Sequence, residues 1–163
     1  MSQRLRTGLG TMLDDYEAAQ RAAEARERQA RADDATFLER FARLRRDVVR
    51  PVFEAAGEVL CSRGHAIAIR EEEFAAADGK STEALIELCV TPAGMEGAAS
   101  ADRHRQRLSF SSRHYNRSVC ITNGAVPQSG ALAGSQGACA LAQIDVERVE
   151  DELLKLMAAL VRR

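Results

Sequence analysis

The amino-acid sequence predicts an α+β fold: an N-terminal helical arm and a kinked helix, a four- to five-stranded antiparallel meander sheet, and a C-terminal helix packed on that sheet. Three observations predict it. From Thr11 to Arg50 there is neither Gly nor Pro. After Gly64 the apolar residues change from helical spacing to strict alternation, and after Asp145 they change back. A chain of 163 residues suits one domain with an appendage, and the change in patterning divides it into an arm over 1–35 and a core over 36–163.

The arm is rich in Ala, Glu, Arg and Gln, all good helix formers. Leu9, Met12, Tyr16, Ala19, Ala23, Arg26 and Ala30 fall on a heptad stripe that small alanines weaken. Asp33 and Asp34 interrupt it, and Thr36 followed by Glu39 reads as a capping box, so of two arrangements, one helix of about 40 residues or a break near 33–36, the break is the expectation. Phe37, Phe41, Leu44, Val48, Val52, Ala56, Val59 and Leu60 then mark a helix with a broad apolar face. Pro51 removes one of its hydrogen bonds and should kink it, and Gly64 follows its C-cap.

Five segments alternate. His65–Glu71 sets Ile67 and Ile69 on one face, and Glu83–Thr91 does the same with Ala84, Ile86, Leu88 and Val90. Arg107–Tyr115 turns Leu108 and Phe110 inward, Ser118–Thr122 follows with Val119 and Ile121, and Cys139–Ile144 reads as a short fifth strand. Asp145 is the expected N-cap of the last helix, with Val149, Leu153, Leu156 and Leu160 facing the sheet, acidic residues in the first turns and Arg162 and Arg163 at the end. Residues 94–102 and 124–137 read as loops.

Composition narrows function mainly by exclusion. The chain is 45% hydrophobic and 29% charged, enough to bury a core, and its net charge of -1 gives no bulk attraction to nucleic acid or an anionic membrane. No apolar run approaches the roughly 18 residues needed to cross a bilayer, and the first residues lack the apolar stretch of a secretory signal, so a cytoplasmic location is expected. Among the basic residues only Lys80 and Lys155 are lysines, a bias expected of a GC-rich, bacterial coding sequence. Cys61, Cys89, Cys120 and Cys139 stand in apolar stretches without CxxC or zinc spacing and are expected to be reduced, buried thiols.

Motifs that suggest chemistry fail on spacing or context. Gly79-Lys80-Ser81-Thr82 lacks the glycine of a phosphate-binding loop five residues earlier, where Phe74 stands, and reads as a hairpin turn. The glycines of 124–137 do not form a dinucleotide fingerprint. His114 and Cys120 have opposite strand parity, which argues against a nucleophile and base pair. Glu71–Glu73 and Glu147–Glu152 read as a solvated edge and a helix N-terminal charge pattern. No catalytic residue, cofactor or metal is therefore assigned, and the balance leans away from an enzyme.

Two features remain. Arg103, Arg105, Arg107, Arg113, Tyr115 and Arg117 share one strand parity and form a candidate anion-binding face, with Arg70, Glu72, Glu83 and Glu87 on neighbouring strands as neutralising partners. Leu9, Met12, Tyr16, Ala19 and Ala23 form a candidate self-association stripe. The order of elements alone resembles small helix-on-sheet adaptor domains such as secretion chaperones and kinetochore modules; no motif carries the likeness. The expectation is a non-enzymatic interaction protein (adaptor, chaperone or assembly factor) forming a homodimer through its arm and engaging another protein. The alternative is a binder of nucleic acid or a phosphate-bearing ligand through the Arg face.

Overall fold

The computed structural model describes residues 2–95, 104–125 and 135–161. Arg103, Arg162, Arg163 and the interiors of the two expected loops lie outside them. The chain divides into two compact units, Met1–Thr36 and Phe37–Arg163.

Helix α1 (Gln3–Leu44) begins in the first unit and ends in the second. The expected break near 33–36 is absent. Instead of capping a new helix, the Thr36 hydroxyl donates to the Ala32 carbonyl at 2.9 Å, and Gln29 Nε2 donates to Asp33 Oδ1 at 2.8 Å. Both side chains thus bond along a continuous helix, the back-bonding alternative open to such residues.

The irregularity expected at Pro51 begins one turn earlier. Arg45–Val49 form a π turn in which the Arg50 N–H donates to the Arg45 carbonyl, five residues back. Pro51, with no N–H to offer the Asp47 carbonyl, then occupies the first turn of α2 (Arg50–Ser62), where its missing donor is tolerated. Helix α2 ends as its sequence predicts. Gly64, at φ 84°, donates to the Cys61 carbonyl at 2.9 Å and His65 donates to Leu60 at 3.1 Å, closing a Schellman motif.

The main sheet is antiparallel in the order β1 (Ala66–Glu72), β4 (Leu85–Thr91), β5 (Gln106–Arg113), β6 (Ser118–Ala125), β7 (Ser135–Cys139). A small hairpin of β2 (Ala75–Ala77) and β3 (Lys80–Thr82) is inserted between β1 and β4. Its turn residues Asp78 and Gly79 both have positive φ, 51° and 72°, the primed geometry that twisted strands favour. The hairpin reading of this segment therefore holds.

Strand β7 lies earlier than the expected Cys139–Ile144. Leu141–Gln143 are a 3₁₀ turn, held because the Ala140 N–H donates to Gln143 Oε1 at 3.0 Å while the Gln143 N–H returns to the Ala140 carbonyl at 3.0 Å. The expected 124–137 loop is also shorter than predicted, since Gly124 belongs to β6 and Gly137 to β7. Helix α3 (Val146–Val161) starts at Asp145, whose Oδ1 accepts the Arg148 N–H at 2.8 Å.

Alternation then builds the core. Ile86, Leu88, Val90, Leu108, Phe110, Val119 and Ile121 are buried on one face of the sheet. Against them pack Phe37, Phe41 and Leu44 of α1, Val49, Phe53 and Leu60, and Val149, Leu153 and Leu156 of α3. The Phe53 and Phe110 rings meet at 6.2 Å. Gly57 permits a close approach of α2 to β1, because an added Cβ would stand 2.4 Å from Ile67 Cδ1. The four cysteines are free thiols; Cys120 is buried and Cys89 and Cys139 are half-buried, but Cys61 is exposed. One residue past the buried Leu60, Cys61 faces away from the sheet, a helical phase that its apolar neighbours concealed.

Candidate functional site

The opposite face of the sheet carries the arginines. Register pairs Arg70 with Glu87, Glu87 with Ser109, and Cys89 with Arg107, so these side chains share that face across β1, β4 and β5. Glu87 is buried and lies between two guanidiniums, Arg70 Nε and Arg107 Nη1, each at 3.4 Å. Arg70 also pairs with Glu72 at 3.0 Å. The Cys89 thiol donates to Glu87 at 3.4 Å. Burial first, and then the Glu87 carboxylate, pushes this thiol up to about 11, so it stays protonated at neutral pH and is no thiolate nucleophile. A cavity of about 430 Å³ opens here, lined by Arg70, Glu87, Cys89, Thr91, Arg105 and Arg107. Arg107 Nε is buried with no hydrogen-bond partner among the described residues.

The predicted stripe is not one continuous row. Strand β5 ends at Arg113, six residues beyond Arg107, and that separation is about 20 Å along a strand. Tyr115 and Arg117 lie in the following turn, with Arg117 at φ 52°. Arg113 donates to the Tyr115 hydroxyl and to Cys120 Sγ, both at 3.3 Å. The structure thus gathers Arg105 and Arg107 with Arg70 at one end of the sheet, and Arg113 with Tyr115 at the other.

Glu83, expected as a partner of the stripe, is directed elsewhere. It meets His114 Nδ1 at 2.6 Å and accepts from the Ser112 hydroxyl at 2.7 Å, while the His114 ring packs on Phe74 at 4.8 Å. Ser112 is in phase with the core face and Cys120, opposite Ser111, is on the other. His114 and Cys120 therefore do not form a catalytic pair. In the Ser112–Glu83–His114 chain the serine hydroxyl donates to the carboxylate rather than to the imidazole, so His114 is not placed as the base of a Ser–His pair.

The arm presents a different surface. Leu5, Leu9, Met12, Leu13 and Tyr16 are exposed, Met12 at 70% and Tyr16 at 60%. At helical spacing they fall within an arc of about 100°, and Ala23 continues it while Ala19 lies at its edge. Leu5, one heptad before Met12, extends the same stripe toward the N-terminus, and Leu13 widens it. Within the second unit, α2 and α3 flank an apolar groove of about 750 Å³, lined among others by Pro51, Val52, Ala55, Val59, Leu154 and Met157. Val59 and Leu154 are exposed at 62% and 67%.

Among the described residues there is no group of three or more His, Cys, Asp or Glu able to hold a metal ion, and no helix is long and apolar enough to cross a membrane. Set against family models, curated proteins and solved structures, the chain matches none.

Proposed function

We propose that this chain is a non-enzymatic interaction protein, an adaptor or assembly factor, that self-associates as a homodimer through its N-terminal helical arm. The observation that carries the reading is the exposure of Leu5, Leu9, Met12, Leu13 and Tyr16 along one side of α1. Burying a large apolar side chain is worth about 1.5–3 kcal/mol, and a helical stripe of this spacing is a recognition element in its own right. The small Ala19 and Ala23 beside it would let a partner helix approach closely. Association has to offset about 4–15 kcal/mol of lost freedom and side-chain order, which favours a dimer of modest affinity.

Supporting the non-enzymatic side, Cys89 is held as a thiol and the Ser112 hydroxyl is committed to Glu83. A cytoplasmic setting belongs to the same reading and is supported by four cysteines carried as free thiols. Binding of nucleic acid or a phosphate-bearing ligand at the Arg face ranks second, because buried Glu87 already engages both Arg70 and Arg107.

Light scattering of the full chain tests the proposal. At about 50 µM, well above a micromolar Kd worth about 8 kcal/mol, a dimer is expected, and Leu9→Glu with Met12→Glu should return it to monomer. A full chain that is monomeric at that concentration would overturn self-association.

A further inference from the structure

We infer that the arm stripe of one copy docks in the α2–α3 groove of a second copy. This rests on the self-association reading and adds the receiving surface to it. Three observations carry the assignment.

The first is the match of pattern and length. Leu5, Leu9, Met12, Leu13 and Tyr16 are the i, i+4, i+7, i+8, i+11 anchors of a helix laid in a groove. Residues 5–16 span about 17 Å at 1.5 Å per residue, and α2 from Arg50 to Ser62 spans about 18 Å. The groove is apolar along that length, from Pro51 to Val59 on one wall and from Val146 to Met157 on the other.

The second is charge. Residues 2–13 carry Arg4 and Arg6 and no carboxylate. Glu150 lines the groove, and helical phase sets Glu58 one turn beyond Ala55 and sets Glu147 and Asp151 in line with Leu154. These four acids are exposed and make no ion pair among the described residues. Asp47, also at the groove, is already paired with Arg46 at 2.7 Å. The N-terminal end of the stripe, carrying Arg4 and Arg6, therefore complements the acidic rim of the groove, while Asp14, Asp15 and Glu17 at its other end give the segment a charge polarity that fixes its direction and register.

The third is the weakness of the segment by itself. Gly8 and Gly10 are poor helix formers in a helix interior, and an isolated helix of such composition is marginal in water. Docking would offset that cost. Nothing surrounds either glycine within 4 Å of an added Cβ.

Light scattering on two variants and their mixture decides between the surfaces. The arm variant is Leu9→Glu with Met12→Glu, and the groove variant is Val59→Glu with Leu154→Glu, both at exposed positions so that the fold is retained, as a thermal melt by circular dichroism verifies. If arm meets groove, each variant alone is monomeric, and their mixture forms a heterodimer through the one intact arm and the one intact groove. If the groove variant stays dimeric while the arm variant does not, the arms pair with each other; the groove assignment is then wrong and the arm reading survives. If the arm variant stays dimeric and the groove variant does not, grooves pair with grooves and both fail. Two monomeric variants that do not associate when mixed also overturn the inference. Charge reversal supplies an independent arm of the test: Glu147→Arg with Asp151→Arg should weaken the dimer at low salt, and Arg4→Glu with Arg6→Glu in the same chain should restore it. No restoration means that these acids do not receive the arm.

Discussion

Glu87 is a carboxylate buried between two arginines on a sheet face that its neighbours do not fully cover. Its position decides what the Arg face can do. Arg107→Glu would set a second carboxylate across from it, and an uncompensated buried charge costs about 3–5 kcal/mol. We expect the variant to unfold at lower urea concentration by about 2–4 kcal/mol, because Arg70 still offsets part of the charge. No salt-sensitive binding of pyrophosphate or single-stranded DNA by the wild-type chain is expected. Such binding at physiological salt, lost in Arg107→Glu, would reverse the ranking of the two functional readings. The pairing of Arg70 and Arg107 with Glu87 was legible, since strand parity alone puts all three on one face. The role of Arg45 was not. It is buried in the π turn, donating to the Glu72 and Leu85 carbonyls at 2.9 and 3.1 Å and to both oxygens of Glu73 at 2.7 Å. The available signal was a charge standing four residues after Phe41, in core phase.

Among the elements, α3 shows how one residue can be misread inside a correctly read segment. Acidic residues near its start suit the helix dipole, yet Glu152 is fully buried and serves to fasten the helix to the sheet. Its carboxylate meets Lys155 at 2.8 Å and Arg148 at 3.4 Å, and Asn123 of β6 donates to it at 3.2 Å and to the Glu152 carbonyl at 2.8 Å. Burial by itself would raise the pKa, but the hydrogen bonds from Lys155 and Asn123 and the two nearby cations outweigh it, and the group is held below the ordinary glutamate range. A depressed pKa stabilises the fold above the unfolded value of about 4.3, and that contribution disappears as pH falls through the lower folded value. Glu152→Gln should therefore cost about 1–3 kcal/mol at pH 7 and progressively less as the pH is lowered below about 4. Denaturant melts across that range measure it, and an equal loss at every pH would refute the assignment. The helices and the central strands were legible because their apolar periods are long. Strand β7 was misplaced because Ala138, Cys139, Ala140 and Leu141 fit a strand or a turn equally well, and the side chain of Gln143 decides.

For the whole molecule, the buried side chains among the described residues begin at Phe37, although α1 begins at Gln3. Residues 2–36 therefore contribute no side chain to the core cluster. A chain lacking residues 1–36 should fold with a thermal midpoint close to that of the monomeric arm variant and remain monomeric at every concentration. Loss of cooperative unfolding in the truncation would mean that the arm is part of what stabilises the second unit. The sequence patterning pointed to an arm with its own role because the stripe is narrow and its flanks are charged. It did not reveal the α2–α3 groove, because a groove between two helices is created by the spacing of their axes, which apolar periodicity alone does not encode.

The π turn sets a phase as well as accommodating Pro51. In an unbroken α-helix Leu44 and Val49 would point about 140° apart, at 100° per residue; both are buried against the same core. The wider turn of Arg45–Val49 absorbs one surplus residue and brings the two halves back into step. The segment therefore behaves as an insertion already accommodated. Regularising the turn without removing a residue would rotate Phe37 and Phe41 by about 100° relative to Phe53 and take the Arg45 guanidinium away from the ends of β1 and β4, whereas deleting one residue as well would keep the two halves in step. The type of turn between Phe41 and Phe53 is thus as much a determinant of the core as the identity of the residues that fill it.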